Sequence, residues 1–343
     1  MNDILDGPTD VIWDVTYACP LRCQHCYSES GRRPARQLGR DDMLKVAEAI
    51  AALRPTAVEF AGGEPLLVRG LLDVAARISR AGVAVNLYTS GWTVTAGVAD
   101  RAAEAFSRIT VSVDGADATV HDRVRGRAGS FERAMRALAH LETIWRRRVA
   151  EGSAPLNYGV DFVVVRSNFH QIEEFCATVA HRFDGLGFVN FGAAVPSGLA
   201  SRPGYAEDEL LPDDRLDELT DPEFVGRLSA LAPDTVQVRT SDNYVLLMHP
   251  GATAQGAGPR LMHVEPGGEV RAMPIYEGTV GSLLTDVPVD VWRRAVERWS
   301  DPFVVETLTP VRSMTDWAEA VRRIDRRFGT PEVLARIAAR GVV

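Results

Sequence analysis

The chain is almost without lysine. Of its 38 basic residues only Lys45 is one, and the rest are arginine. That bias reads as the codon usage of a GC-rich genome and carries no chemistry. Cysteine is also scarce, with 4 in 343 residues, which excludes a secreted scaffold built on disulfides. No apolar run reaches the length of a membrane span. The opening Met-Asn-Asp-Ile-Leu-Asp has neither a basic nor an apolar signal-peptide region. An excess of positive charge is missing too: the net charge is −8, so no nucleic-acid surface is expected. What remains is ordinary globular material, 46% hydrophobic and 24% charged. It is long enough for a large core, or for one core plus an appended lobe. A cytoplasmic protein with no membrane partner is expected, and free clustered thiols suit a reducing compartment.

Three of the four cysteines are crowded together. Residues 16–27 read Thr-Tyr-Ala-Cys-Pro-Leu-Arg-Cys-Gln-His-Cys-Tyr, which places Cys19, Cys23 and Cys26 in a C-x3-C-x2-C spacing. Three thiolates on one short loop can hold three corners of a cubic iron–sulfur cluster and leave the fourth iron open. An open coordination position is what a catalytic metal needs. Zinc is the competing reading, with His25 as a fourth ligand, but zinc fingers separate their ligands into two pairs and no second pair follows. A disulfide would leave one of the three unpaired. Cys176 lies alone in a helical stretch and reads as a core cysteine. The remaining histidines are scattered with no metal-ligand spacing.

Strands and helices alternate along the first two-thirds. Val11–Val15, Ala57–Ala61, Val83–Tyr88, Arg108–Val113, Val160–Val165 and Gly187–Phe191 read as strands. Asp41–Leu53, Leu71–Ala81, Ala96–Phe106, Phe131–Arg148 and Ile172–Ala180 read as helices. Six β-α units in series predict an α/β fold with a parallel sheet and right-handed crossovers. Chemistry is then expected at the carboxyl ends of the strands, and the cysteine loop directly follows the first one.

A second motif follows the cysteines. Residues 61–66 read Ala-Gly-Gly-Glu-Pro-Leu at the end of the second strand. Glycines admit close backbone approach, and a carboxylate suits an ammonium. Together the two motifs resemble the signature of the radical S-adenosylmethionine (radical SAM) superfamily. The resemblance implies a partial (β/α)6 TIM-like barrel, one [4Fe–4S] cluster on Cys19, Cys23 and Cys26, and S-adenosylmethionine (SAM) on the open iron. It implies that Gly62, Gly63 and Glu64 meet the amino group of the SAM methionine. Ser112, Asp114 and Arg125 would meet its ribose and carboxylate, with Arg123 competing for the arginine role. Thr89 and Ser90 would line the mouth, and the backbone of His25 would touch the adenine. These are cofactor-binding positions, and no catalytic residue is assigned.

The similarity extends toward the SPASM-type peptide-modifying branch. Arg166 to Asn168, Pro196 to Ala200, Val264 to Pro274, Val280 to Leu283, and Val291 with Trp292 follow its pattern. Gly256 and Met273 stand where that branch places cysteines for auxiliary clusters, and no cysteine follows Cys176. Three segments are expected: a barrel core over 1–212, a helical linker over 213–239, and a degenerate, cysteine-free α+β lobe over 240–343. Val264, Val270, Leu283, Val291 and Trp292 would pack that lobe against the barrel, covering its mouth.

The resemblance implies reductive cleavage of SAM to a 5′-deoxyadenosyl radical that takes hydrogen from an unactivated carbon, with flavodoxin or ferredoxin as electron donor. The SPASM likeness favours a ribosomal peptide as substrate. Two features weigh against it: about ten residues precede the first strand, too few for a fused leader-binding domain, and the auxiliary clusters are gone. A sugar- or aminoglycoside-type small molecule, dehydrated, epimerised or dehydrogenated, is the alternative. A non-catalytic iron–sulfur or zinc protein is a third reading, which leaves Gly62 to Pro65 without a purpose.

Overall fold

The computed structural model describes residues 7–255 and 258–340. Among these residues ten strands form one sheet in the order β10-β9-β8-β1-β2-β3-β4-β5-β6-β7. The six strands expected from the sequence are β1 (Asp10–Thr16), β2 (Ala57–Gly62), β3 (Ala84–Thr89), β4 (Arg108–Ser112), β5 (Tyr158–Val164) and β6 (Phe188–Ala193). All pair in parallel with their sequence neighbours. The crossovers carry α1 (Arg40–Ala52), α2 (Leu71–Ser79), α3 (Ala96–Ala105), α4 (Ala118–Arg125) and α5 (Ser130–Ala150). The result is a partial TIM-like barrel.

Each element follows from its pattern. In α1 the buried side chains are Met43, Val46, Ala47 and Ile50, an i, i+3, i+4, i+7 stripe that faces the core. In β1, Val11, Trp13 and Val15 share one face and are at most 2% exposed. Trp13 meets Phe60 of β2 with ring centroids 5.4 Å apart. Full burial of such side chains contributes roughly 1.5–3 kcal/mol each. The other face of the strands is polar: Asp14, Glu59, Asn86, Arg108, Thr110, Ser112, Asp161 and Asn190 alternate with the apolar positions. These residues line the barrel interior.

The sheet extends beyond six strands at both edges. β7 (Gln237–Ser241) pairs in parallel with β6. Its sequence, Gln-Val-Arg-Thr-Ser, lacks an apolar run because it is an edge strand with one buried residue, Val238. β8 (Leu261–Val264) pairs in parallel with β1, from Asp10↔Leu261 to Trp13↔Val264. β9 (Glu269–Arg271) and β10 (Thr279–Ser282) then continue antiparallel. The C-terminal region therefore shares its sheet with the barrel. Val264, Val270, Leu283, Val291 and Trp292 are at most 4% exposed. Gly268, at φ +87°, lets the β8–β9 turn come close to Val46 of α1, which lies 3.2 Å from where a Cβ would be. Met273 is buried, whereas Gly256 lies outside the described residues.

The stretch expected as a helix over 172–180 is broken. A short α-turn passes into a π-helical segment, Phe175–Val179, which contains the fully buried Cys176. Burial pushes that thiol up to about 12, as befits a core cysteine. Among the described residues no helix is long and apolar enough to cross a membrane.

A buried charge network joins the C-terminal helices to the segment after the third cysteine. Glu29 meets Arg336 and, at 2.7 Å, Arg340. Arg336 also meets Glu277 at 2.6 Å. Arg271, 1% exposed, lies 2.9 Å from Glu265 and 3.7 Å from Glu277. Such networks contribute little net energy, but removing one member leaves an uncompensated charge.

Candidate active site

The cysteine loop is fixed from several sides. Its start is tied by Ala18 N to Thr16 Oγ1 at 3.0 Å, and its middle by Arg22 N to Arg125 O and Gln24 N to Val124 O, both 3.1 Å. Leu199 N donates to Cys26 O at 3.0 Å. Gly62 pairs with Thr16, and Gly63 N donates to Thr16 O at 2.7 Å. A Cβ on Gly63 would lie 2.1 Å from Ala18 O. The second motif's glycines thus allow close contact with the cysteine loop itself, a role that ligand-based reasoning had missed.

Cys19, Cys23 and Cys26 are all free and partly exposed. Burial pushes Cys19 up to about 12, and Cys23 up to about 11 despite the opposing charge of Arg125. A bound metal reverses that preference by binding the thiolate. Among the described residues no three His, Cys, Asp or Glu side chains converge as ligands of a single metal ion. A cubic cluster is held at separate corners, and three free thiols on one loop fit it in number and chemistry.

Glu64 is fully buried beside this loop. It accepts from Thr89 Oγ1 at 2.8 Å, from Ser90 N at 2.9 Å, from the Ser90 hydroxyl, and from Leu66 N at 3.3 Å. Thr89 and Ser90, expected to line the mouth, are the residues that orient this carboxylate. Burial raises its pKa against those hydrogen bonds. Every partner is neutral, and no cation pairs with Glu64 among the described residues.

Asp114 organises the opposite side. Arg125 grips it through Nε and through Nη2 at 2.8 Å. His25 Nε2 lies 3.0 Å away, and Val163 N donates at 2.9 Å. Burial opposes ionisation, but Arg125 and His25 outweigh it and hold the carboxyl well below the usual range. Arg125 extends Nη1 to Cys23 Sγ at 3.9 Å. It is the last residue of α4, and Gly126 closes the helix at φ +64°. Arg123 is exposed and donates to Ser167 O at 3.1 Å. The imidazole of His25, given no role by the sequence, is part of the Asp114 network. His121, lowered to about 4 by burial and by Arg125, stays neutral and accepts from Asp114 N at 3.1 Å.

Below these groups the interior is layered. Glu59 accepts from Asn86 at 2.9 Å and Arg108 at 3.0 Å, which closes a floor. Above it Ser112, Asp161 and Asn190 stand side by side in register on β4, β5 and β6. The backbone carbonyl of Asp161 accepts from Val113 N at 3.0 Å, but its side-chain carboxyl has no hydrogen-bond or ion-pair partner among the described residues. Burial, then the charge of Asp114, raises it to about 6. A third cluster joins Tyr27 OH to Asp14 at 2.6 Å and His263 to Asp14 at 3.1 Å. Sequence reasoning named neither Asp161 nor the Asp14–Tyr27–His263 set; period-two alternation in β1 and β5 was the available signal.

Comparison with known proteins gives a consistent picture. A family model described as the radical SAM superfamily matches residues 13–146. Mycofactocin maturase MftC of Mycolicibacterium smegmatis is 30% identical, over 82% of this chain and 69% of that protein. PqqA peptide cyclase of Methylorubrum populi is 27% identical, over 85% of this chain and 74% of its own. Among solved structures, Streptococcus suis SuiB bound to precursor peptide SuiA superposes with a TM-score of 0.64 at 14% identity, covering 90% of this chain and 68% of SuiB. That last likeness bears on the fold alone.

Proposed function

This chain belongs to the radical SAM superfamily, and from that premise we propose that it uses one [4Fe–4S] cluster and SAM to modify a ribosomally made peptide at carbon. Cys19, Cys23 and Cys26 would hold the cluster. When bound, the cluster and SAM supply a 5′-deoxyadenosyl radical able to take hydrogen from an unactivated carbon. The remaining work belongs to the protein's own residues, which bind, orient and exclude water.

The observation that carries the reading is Glu64. A buried carboxylate surrounded only by neutral donors is an incomplete arrangement, and an ammonium completes it. Thr89 and Ser90 hold it in place for the amino group of SAM. Across the thiols, Arg125 fixes Cys23 and Asp114 together, while Asp114 orients His25. Ser112 and the Arg125–Asp114 pair are then the polar groups for the ribose and carboxylate. The peptide's reacting residue would enter the polar interior near Asp161 and Asn190. The cysteine-free C-terminal lobe would close the barrel and keep water from the site. A flavodoxin or ferredoxin would supply the electron, in a reducing cytoplasm.

The peptide assignment draws on relatives named as a mycofactocin maturase and a PqqA peptide cyclase. Its test is anaerobic reconstitution followed by incubation with SAM and dithionite. The expected product is 5′-deoxyadenosine, formed faster when a candidate precursor peptide is present and accompanied by a mass change in that peptide. S-adenosylhomocysteine as the main product would overturn the reading.

A further inference from the structure

The chain is acidic overall, yet the outer face of the cysteine loop is arginine-rich. Arg22 donates through Nη1 to Cys19 O at 3.1 Å and Leu21 O at 2.8 Å. Arg32 donates to Arg22 O at 2.6 Å. Arg127 donates to Pro20 O at 3.0 Å. Arg127 and Arg133 both stack on Trp92, at 4.5 and 4.3 Å from its ring centre. All four arginines are exposed, and none has a carboxylate within ion-pair distance among the described residues. Elsewhere on the barrel helices Arg40, Arg77, Arg146 and Arg147 each pair with an Asp or Glu, while Arg101 and Arg136 are exposed without an ion pair among the described residues. What sets Arg22, Arg32, Arg127 and Arg133 apart is that they gather around one loop.

A guanidinium carries five N–H donors, and a bond to one carbonyl leaves several of them facing outward. Four such groups around the loop form a surface of local positive charge on a protein whose net charge is −8. An open cleft of about 520 Å³ lined by Trp92, Arg133, Arg136 and His140 extends it. Nucleic acid is a poor match for so acidic a chain.

We infer that this arginine collar is the docking surface for an acidic, low-potential one-electron donor protein. The inference rests on the cluster reading above. Partner carboxylates would meet the outward N–H groups and bring the donor's redox centre over Cys19 and Cys23. The balance is one electron: a flavodoxin hydroquinone is oxidised to its semiquinone, and the cluster is reduced by one.

The test uses the reconstituted full chain and, as probe, a flavodoxin of net negative charge. Arg127→Glu/Arg133→Glu is compared with the unaltered protein. Three quantities are read: flavodoxin affinity by calorimetry at low and high salt, the rate of hydroquinone oxidation by stopped flow, and iron content. Charge reversal should weaken affinity and slow oxidation about tenfold or more at low salt. The difference should shrink at high salt, where screening is short-ranged. Iron content and reduction by dithionite should not change. If the double variant loses iron, Arg133→Glu alone decides, because among the described residues the Arg133 side chain touches Trp92, through its carbonyl and its ring, and bonds no part of the cysteine loop. Unaltered docking and oxidation would overturn the inference. So would an equal loss of dithionite reduction at full iron content, which would show that the collar tunes the cluster, or loss of binding to an acidic precursor peptide alone. Docking that is lost on charge reversal while SAM is never cleaved would keep the collar and defeat the proposed function instead.

Discussion

Arg125 and Asp114 form a two-pronged buried ion pair whose arginine also reaches the thiol of Cys23. One contact thus couples the carboxylate behind β4 to the loop that bears the cysteines. Asp114→Asn should destabilise the fold by about 3–5 kcal/mol, because Arg125 would remain buried with its charge uncompensated. Denaturant midpoints of Asp114→Asn, Arg125→Met and the double variant check this. The double variant should cost clearly less than the sum of the two.

The cysteine assignment predicts about four irons per chain after anaerobic reconstitution. Cys19→Ala, Cys23→Ala or Cys26→Ala should each abolish the visible absorption of the cluster. Cys176→Ala should retain it, since Cys176 sits in the π-helical segment behind the sheet. About eight irons per chain, or stoichiometric zinc, would contradict the assignment.

Glu64→Gln should lower SAM affinity about tenfold or more, since a charged hydrogen bond is worth about 1.5–3 kcal/mol. Iron content should hold. Thr89→Val and Ser90→Ala should give smaller losses in the same direction, because they only orient the carboxylate. Equilibrium binding of SAM to the oxidised protein is the measurement.

Asp161 should make stability depend on pH. Its pKa in the fold, about 6, lies above the ordinary 3.8. The native state therefore holds the proton more tightly than the unfolded chain. Its favourable contribution is complete below about pH 3.8 and is lost as pH rises toward 6. Asp161→Asn does not titrate, so its stability relative to the parent should rise by on the order of 1–3 kcal/mol between pH 4 and pH 7. A difference that is flat with pH would count against the placement of Asp161.

Truncation near residue 240 should prevent folding. It removes β8 from the edge of β1, His263 from Asp14, and Arg340 from Glu29. Soluble yield and thermal unfolding of the truncated chain measure the effect. A cooperative, cluster-binding fragment would show that the barrel stands alone.

The parts legible in the sequence were those carried by local pattern. Cysteine spacing, the Gly62 to Pro65 turn and the helix–strand alternation each depend on residues close together in the chain. Polar edge strand β7 had no apolar signature, and the helix around Cys176 shows nothing in its side chains that announces a π-turn. The partners of Asp114 are dispersed: His25, Arg125 and Val163 come from three separate segments. The same is true of the Glu29, Glu277 and Arg340 network, and of the arginines around the cysteine loop. Such constellations exist only once the sheet has brought their strands together.

The pairing of β1 with β8 has a consequence for synthesis. Thr9 bonds Arg260 across 251 residues of sequence. Until that distant segment leaves the ribosome, β1 has β2 on one side and a bare row of amides and carbonyls on the other. A strand in that condition recruits any extended chain nearby. Contacts of such long range also form slowly. The cysteine loop hangs from this strand, so its final geometry is reached late, after most of the barrel has been made. Nascent chains stalled before residue 261 should therefore be the aggregation-prone species, and a chaperone or early metal delivery would act in that interval.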